Sequence, residues 1–248
     1  MKVLIPLPDR DFDTTEVAVP WHYLVEAGHD VIFATQAGGA PPQCDPRLLT
    51  GVLLGQLGAE PEAIDRYRAM VRSPRYLRPI AWGDIEPGDY DGLILPGGHA
   101  PGMRQYLGST LLREKVAGYW RLERPIGAIC HGVLVLARTV DPATGHSVIA
   151  RRFTTCLPKY MEATAYALTA WKLGRYYRTY KAYVEEEVTA ALDDSTRFIR
   201  GPITLGRRGS ASDDRPAFSV RDGNYLSARW PGDAYLFTRT FTRMLSGD

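Results

Sequence analysis

Short apolar runs alternate with longer amphipathic segments along this chain, and that alternation limits the folds open to it. Lys2–Leu7 is predicted as a strand, Glu16–Ala27 as a helix and Asp30–Ala34 as a second strand. Asp91–Leu95 and Pro125–Ile129 continue the pattern as strands. Strands that alternate with helices in this way form a mostly parallel sheet with helices on both faces. We therefore predict an α/β fold.

The length of the chain fits one large domain. At 248 residues it can bury a sizeable core but is short for two well-built domains. We predict a single domain over residues 1–248, with elaborations at about 36–89 and 157–216. We expect the loop Gly206–Pro216, rich in Gly, Arg, Ser and Asp, to be mobile and away from the chemistry.

The other predicted elements are helices at Glu62–Val71, Gln105–Trp120, His131–Arg138 and Gly232–Leu245, a tyrosine-rich helical stretch at Lys159–Leu192, a short strand at Ser147–Ala150, and a hairpin of Ala217–Val220 and Tyr225–Ala228.

Charge and cysteine usage argue against several classes of protein. The net charge is only +2 and no run of Lys or Arg stands out, which disfavours nucleic-acid binding. The apolar N-terminal run is cut short by Pro6, too early for a secretory or membrane segment. Cys44, Cys130 and Cys156 lack the spacing of a disulfide framework or a zinc site. We expect a cytoplasmic protein with no metal and no nucleic-acid or membrane partner.

The most informative segment is PIGAICHG at residues 125–132, where a predicted buried strand runs into a helix with Cys130 at the joint. Ala128 and Gly132 are small, as the sharp turn of a nucleophile elbow requires. Such an elbow would hold the thiol above the carboxyl edge of the sheet, where open α/β folds bind ligands. The following helix N-terminus favours thiolate, so we expect a pKa well below about 8.5. A buried cysteine that only packs in the core also fits the position.

A second apolar strand ends in a glycine pair, in the segment LILPGGHA at residues 93–100. Glycine lets backbone N–H groups approach a substrate oxygen closely, as an oxyanion hole requires. Gly97, Gly98 and the N–H of His131 are therefore candidate donors, and His99 is a candidate substrate contact. A plain turn followed by a surface histidine is the alternative.

Glu16 follows the first predicted strand, in the segment Asp13-Thr14-Thr15-Glu16. From there its carboxyl is placed to reach the elbow, and we expect it to contact Cys130. The spacing from Asp13 to Glu16 also fits a helix-capping box, and the residues alone leave both roles open.

Together these segments resemble the ThiJ/PfpI superfamily, which is class I glutamine amidotransferase-like. The resemblance rests on Glu16 with Pro20, on LILPGGHA (93–100), on AICHG (128–132) and on FSVRDGNYLSARWPGD (218–233), so it covers nearly the whole chain. The histidine after the cysteine and the GGH before it look most like the glyoxalase III and chaperone branch. The resemblance implies a flavodoxin-like sandwich with a mostly parallel central sheet, helices on both faces and a nucleophile elbow.

The resemblance also implies a role for individual residues. Cys130 would be the nucleophile, His131 the general acid/base, and Glu16 a carboxyl that hydrogen-bonds the thiolate and shuttles a proton. The glycine pair and the His131 N–H would form the oxyanion site. Glu162 stands at the distance from the cysteine where the branch often has an acid that orients the histidine, although by itself it fits a solvated helix residue. No cofactor is implied, and we expect a homodimer acting on a small molecule.

Three features depart from the family pattern. Ala100 stands where the branch usually has glycine, so the oxyanion loop is expected to differ. Residues 157–192 are unusually aromatic, which fits either a different pocket or simple packing. His146, the only histidine after the elbow, comes too early for a glutaminase, so the amidotransferase label describes fold ancestry.

Three functional classes stay open on the sequence. In the first, a glyoxalase III-like lyase, the Cys130 thiolate attacks an aldehyde or ketoaldehyde, and Glu16 and His131 resolve the hemithioacetal to a hydroxy acid. The second uses the same thiolate to hydrolyse or hydrate an amide, ester or isocyanide. The third is a non-enzymatic redox sensor or chaperone-like protein whose Cys130 is oxidised. In each class Cys44 and Cys156 are expected to be dispensable, because neither lies at a strand-to-helix joint.

Overall fold

The computed structural model describes residues 1–52 and 57–247. Four residues of the predicted 36–89 elaboration, 53–56, and the last residue of the predicted domain lie outside this range. The strands are β1 (Lys2–Pro6), β2 (Arg10–Phe12), β3 (Asp30–Thr35), β4 (Gln43–Cys44), β5 (Ile80–Ala81), β6 (Gly92–Leu95), β7 (Ile126–Ile129), β8 (Ser219–Asp222) and β9 (Tyr225–Ala228). The α-helices are α1 (Thr14–Glu26), α2 (Arg47–Thr50), α3 (Pro61–Met70), α4 (Pro74–Leu77), α5 (Met103–Leu107), α6 (Thr110–Trp120), α7 (Val133–Ala137), α8 (Lys159–Leu173), α9 (Val184–Ala190) and α10 (Ala234–Ser246).

Seven of these strands form one sheet in the order β5-β3-β1-β6-β7-β9-β8. All neighbours run parallel except β8 and β9, which form the antiparallel closing hairpin. On one side α1 packs against α3 and α10, and α7 packs against α5, α6 and α9 in a separate layer. The predicted α/β sandwich is therefore confirmed. In the part of the chain that the structure describes, no helix is long and apolar enough to cross a membrane.

The central strands are apolar on both faces because helices cover both of them. The strand sequences GLIL of β6 and IGAI of β7 are fully buried. Gly127 lets α10 approach closely, since a Cβ there would lie 2.6 Å from Cζ of Phe237. Gly92 does the same for Leu245, whose Cδ2 would lie 2.8 Å from an added Cβ. The two strands that precede the candidate catalytic loops are thereby held firmly against the core.

Three predicted elements differ in the structure. The helix predicted at Gln105–Trp120 is two helices, because α5 ends at Leu107 and Ser109 caps α6 by accepting a hydrogen bond from Leu112 N at 3.1 Å. The stretch Lys159–Leu192 is also two helices, α8 and α9, and α8 ends at Gly174 with φ +57°. No strand forms at 147–150 among the described residues: Ser147 makes only an isolated antiparallel bridge with Val140.

Removing the carboxyl of Asp233 is expected to destabilise the fold strongly. Asp233 and Arg229 are both 0% exposed and paired through two hydrogen bonds of 2.8 and 2.9 Å. Asp233→Ala would leave the Arg229 guanidinium buried without its counter-charge, which costs about 3–5 kcal/mol of unfolding free energy. Urea denaturation measures the loss. Asp65→Ala, which breaks an exposed pair with Arg68, serves as the control and is expected to change little. Equal midpoints for the two variants would contradict this prediction.

Candidate active site

Glu16, Gly97 and Cys130 follow three neighbouring strands and meet at one edge of the sheet. The strands β1, β6 and β7 are adjacent and parallel, so the chain leaves all three at the same edge. A Cβ placed on Gly97 would lie 3.0 Å from both Cys130 Cβ and Glu16 Oε2. The fold therefore brings the three predicted segments into contact.

Cys130 occupies the strained turn that a nucleophile elbow requires. Its φ is +58°, a left-handed conformation that non-glycine residues adopt rarely. Behind it a short 3₁₀ turn, Cys130–Gly132, leads into α7. A Cβ on Gly132 would overlap the carbonyl oxygen of Leu95, so only glycine fits there. The small size of Gly132, which the sequence pattern singled out, is thus required by the close approach of the turn to β6.

Glu16 lies at the first turn of α1, but its carboxyl does not cap that helix. Asp13 is the cap: its Oδ1 accepts hydrogen bonds from Thr15 N at 2.8 Å and Glu16 N at 3.1 Å. The Glu16 carboxyl instead accepts from Gly97 N at 2.7 Å through Oε2. The pKa of Glu16 and that of the Cys130 thiol are each influenced by the other group, and Glu16 Oε1 has no hydrogen-bond partner among the described residues. Asp13 therefore caps the helix, and the Glu16 carboxyl lies against the Gly97 loop beside Cys130.

Burial makes Glu16 hold its proton. The side chain is 0% exposed, and burial together with the neighbouring Asp13 raises the pKa of Glu16 well above its ordinary value. Burial raises the pKa of Asp13 to about 6. The protonated form of the Glu16 carboxyl is therefore favoured over the ionised form.

The Cys130 thiol is also held in its neutral form, which contradicts the low pKa expected from the sequence. The residue is 1% exposed, and burial followed by the charges of Glu16 and Asp13 raises its pKa well above the ordinary value. The backbone N–H of His131 opposes this only in part. A helix dipole was expected to favour thiolate, but α7 spans only Val133–Ala137. The Glu16–Cys130 pair thus resists losing a proton from either group.

His131 is the nearest base to the thiol. Its Nδ1 lies 3.5 Å from Cys130 Sγ. Burial, His99 and Arg138 lower the pKa of His131 well below its ordinary value, so the imidazole is neutral at pH 7 and can accept a proton. His131 therefore stands where a general base for Cys130 is needed.

His99 packs directly on His131. The ring centroids are 4.7 Å apart at an interplanar angle of 71°. Burial lowers the pKa of His99 to about 4, and its Nε2 has no hydrogen-bond partner among the described residues. Ligand atoms of His99, Cys130 and His131 lie within 4.8 Å of one another, so the three side chains could hold a metal ion. The linear spacing gave no sign of such a cluster, because His99 comes from a different loop.

The candidate oxyanion donors are used differently from the prediction. The N–H of Gly97 is taken by Glu16, so it is not free for a substrate oxygen. Gly97 is needed for space instead, since a Cβ there would lie 2.6 Å from His131 N. The backbone at Gly98 has φ +156° and passes close to Asp11, whose carbonyl oxygen would lie 2.7 Å from an added Cβ. Gly98 and His131 remain as candidate donors.

Glu162 has partners other than His131. Its Oε2 accepts from Val184 N at 3.0 Å, and its Oε1 lies 3.4 Å from Arg178 Nη1. It is 1% exposed, so it is not a solvated helix residue either. Both oxygens tie α8 to α9 and the segment before it. Within the described residues, the histidine-orienting contact implied by the family spacing is not formed.

A cavity of about 340 Å³ opens beside these side chains. His99 and Asp13 form part of its wall, together with Gly206 and Arg208. The expected placement of the loop 206–216 away from the chemistry is therefore wrong. Arg208 holds the loop in place by donating to Gly58 O at 3.2 Å and lying over the Trp230 ring at 5.1 Å. The residue that anchors this loop is therefore a charged one, Arg208, rather than an apolar side chain.

Known proteins resemble this chain over its full length. An uncharacterized protein of Schizosaccharomyces pombe is 28% identical over 99% of this chain and 84% of its own length. The deglycase PfpI of Pyrococcus furiosus is 24% identical over 99% of each chain. The crystal structure of glyoxalase III from Candida albicans superposes with a TM-score of 0.70 at 18% identity, covering 98% of this chain and 97% of that one.

The family comparison agrees with the motifs that first suggested it. The model described as ThiJ/PfpI family-like matches residues 7–202, a span that includes the elbow, the glycine pair and Glu16. The mostly parallel central sheet and the strand–cysteine–helix joint are those the resemblance implied. This chain belongs to the ThiJ/PfpI-like family.

Proposed function

We propose that this chain is a cysteine-dependent enzyme that converts a ketoaldehyde to a hydroxy acid, as glyoxalase III does. The observation that carries the proposal is the protonation pattern around one thiol. The imidazole of His131, whose pKa is lowered, lies 3.5 Å from Cys130 Sγ, and the buried carboxyl of Glu16, whose pKa is raised, lies at the same elbow beside Gly97. One group is ready to take a proton and the other to give one.

The reaction can be written with these groups alone. Sulfur forms a bond to the aldehyde carbon while His131 takes the thiol proton, and the carbonyl oxygen takes a proton from Glu16, which gives a hemithioacetal. The Glu16 carboxylate then removes the former aldehyde proton while protonated His131 gives a proton to the adjacent carbonyl oxygen, which forms an enediol. His131 next takes the hydroxyl proton from the sulfur-bearing carbon and Glu16 protonates the adjacent carbon, which gives a thioester of the hydroxy acid. Water then attacks the thioester, the carbon–sulfur bond breaks, and the hydroxy acid leaves with the thiol restored.

The names of the archaeal relatives favour a second candidate, deglycase activity. A deglycase would act on the adduct of a ketoaldehyde with an amine, and the same thiol would attack the same carbon. A redox-sensing role is less well supported, because cysteine oxidation follows thiolate character and exposure. Cys130 has neither, since it is 1% exposed and its pKa is raised.

A substrate panel tests the proposal. Glyoxal, methylglyoxal and phenylglyoxal, p-nitrophenyl esters and an isocyanide are offered to the protein, and products are identified by NMR in D₂O. We expect hydroxy acids from the ketoaldehydes, with deuterium on the carbon next to the carboxylate, because solvent-exchanged groups protonate that carbon. Turnover of only the esters or the isocyanide would replace the lyase proposal with the hydrolase or hydratase class.

A further inference from the structure

The cavity beside the active site has walls that are mostly apolar. Met161, Ala165 and Leu168 of α8 form one side, and Ile203 and Leu205 form another. Leu168, Ile203 and Leu205 are half or more exposed, at 50%, 68% and 90%. Large apolar side chains that remain exposed around a cavity keep a surface free for an apolar ligand.

Two polar residues of the cavity lining, His99 and Asp13, contact residues of the candidate active site. His99 lines the cavity and also packs edge-on against His131, with ring centroids 4.7 Å apart. Asp13 lines it and caps the helix that carries Glu16. Cys130 is only 1% exposed and does not line the cavity, so the cavity adjoins the candidate active site through His99 and Asp13. The Nε2 of His99 is buried and has no hydrogen-bond partner among the described residues.

We propose that the substrate carries a hydrophobic body, about the size of an aromatic ring with a short chain, that fills this cavity while its ketoaldehyde end faces His99. The inference rests on the proposed function and adds the substrate class. A volume of about 340 Å³ lies in the range of sites for compact organic ligands. Methylglyoxal, with a single methyl group, would leave most of it unfilled. A sugar would lose hydrogen bonds to water against apolar walls.

Phenylglyoxal and methylglyoxal test the proposal by kinetics, because they share the reacting group and differ in the body. We expect kcat/KM to be at least about 100-fold higher for phenylglyoxal, since each added apolar group in a fitted pocket gives a tenfold or larger preference. Ketoaldehydes also react with arginine side chains, so the rate of consumption measured with Cys130→Ala is subtracted as background from the wild-type rate. Equal kcat/KM values would overturn the proposal and leave the proposed function intact.

Filling the cavity should remove this preference. Ala165→Phe is expected to lower kcat/KM for phenylglyoxal by about tenfold or more and to change that for methylglyoxal less than about twofold. Ala167→Phe, exposed on the same helix and outside the cavity lining, is the matched control and should keep the preference. If Ala165→Phe does not fold, Thr164→Phe, at an exposed lining position, replaces it. If Ala165→Phe lowers kcat/KM equally for both substrates, the placement of the hydrophobic body in this cavity is contradicted.

A binding measurement separates this inference from the proposed function. Acetophenone, an aryl ketone without the aldehyde, is titrated into Cys130→Ala by calorimetry, with and without Ala165→Phe. Binding that Ala165→Phe removes and Ala167→Phe keeps supports an aryl-binding cavity even if no ketoaldehyde is turned over, in which case only the proposed function fails. Absence of binding, or binding that Ala165→Phe leaves unchanged, overturns the inference.

Discussion

Cys130→Ala is expected to reduce turnover of ketoaldehydes to the background rate, a loss on the order of 10⁴-fold or more. Every step of the proposed reaction passes through the bond between sulfur and the aldehyde carbon, and no other thiol replaces it. The variant should fold normally, because the small alanine side chain fits the turn in which Cys130 has φ +58°. Steady-state kinetics with methylglyoxal and phenylglyoxal, beside circular dichroism of the variant, measure the effect.

The other two cysteines supply the matched control. Cys44 and Cys156 are buried thiols like Cys130, at 4% and 0% exposed. Burial raises the pKa of both thiols. Cys44→Ala/Cys156→Ala should keep nearly all turnover. If the double variant loses most of it while Cys130→Ala keeps it, the chemistry belongs to a different thiol.

The parts of the site that could be predicted are those fixed by neighbours in sequence. Ala128 and Gly132 flank Cys130 closely, and their small size predicts the sharp turn that the structure has at Cys130. The glycine pair was similarly visible, because it directly follows an apolar strand. Glu16 was placed near the elbow because it follows the first predicted strand and precedes Pro20 by four residues, and in the structure β1 and β7 lie in the same parallel part of the sheet. The parallel arrangement of the strands therefore brings Glu16, Gly97 and Cys130 to the same edge of the sheet.

The parts that could not be predicted depend on contacts between distant segments. The spacing from Cys130 to Glu162 matched the family, but Arg178 and Val184 come from a segment that no motif describes and take both carboxyl oxygens. The pKa of Cys130 was misjudged because burial is a tertiary property, whereas the favourable helix terminus is visible locally. Gly97 was assigned as a donor to substrate without knowledge that Glu16 accepts its N–H.

Glu16→Gln is expected to lower kcat by about 10²–10⁴-fold, the usual size of a general acid–base contribution. The amide oxygen can still accept the hydrogen bond from Gly97 N, now 2.7 Å from Glu16 Oε2, so packing is kept. The amide cannot release a proton to the substrate oxygen. Because the pKa of Glu16 is raised, wild-type turnover should fall as pH rises through that pKa, and the fall should be absent in the variant.

Stability separates this catalytic role from a structural one. Ionising Glu16 at a buried site disfavours the folded state, so wild-type stability falls as pH rises through the raised pKa, and Glu16→Gln should be the more stable protein above it. Glu162→Gln is the matched control, a second buried glutamate with a raised pKa whose partners are Arg178 and Val184. It should lose stability, because Arg178 is left without its carboxylate, and keep most of its kcat. Urea denaturation and steady-state kinetics on both variants decide the matter: if Glu16→Gln destabilises the fold and keeps kcat, Glu16 only supports the loop at Gly97, and the acid in the proposed reaction must be another group.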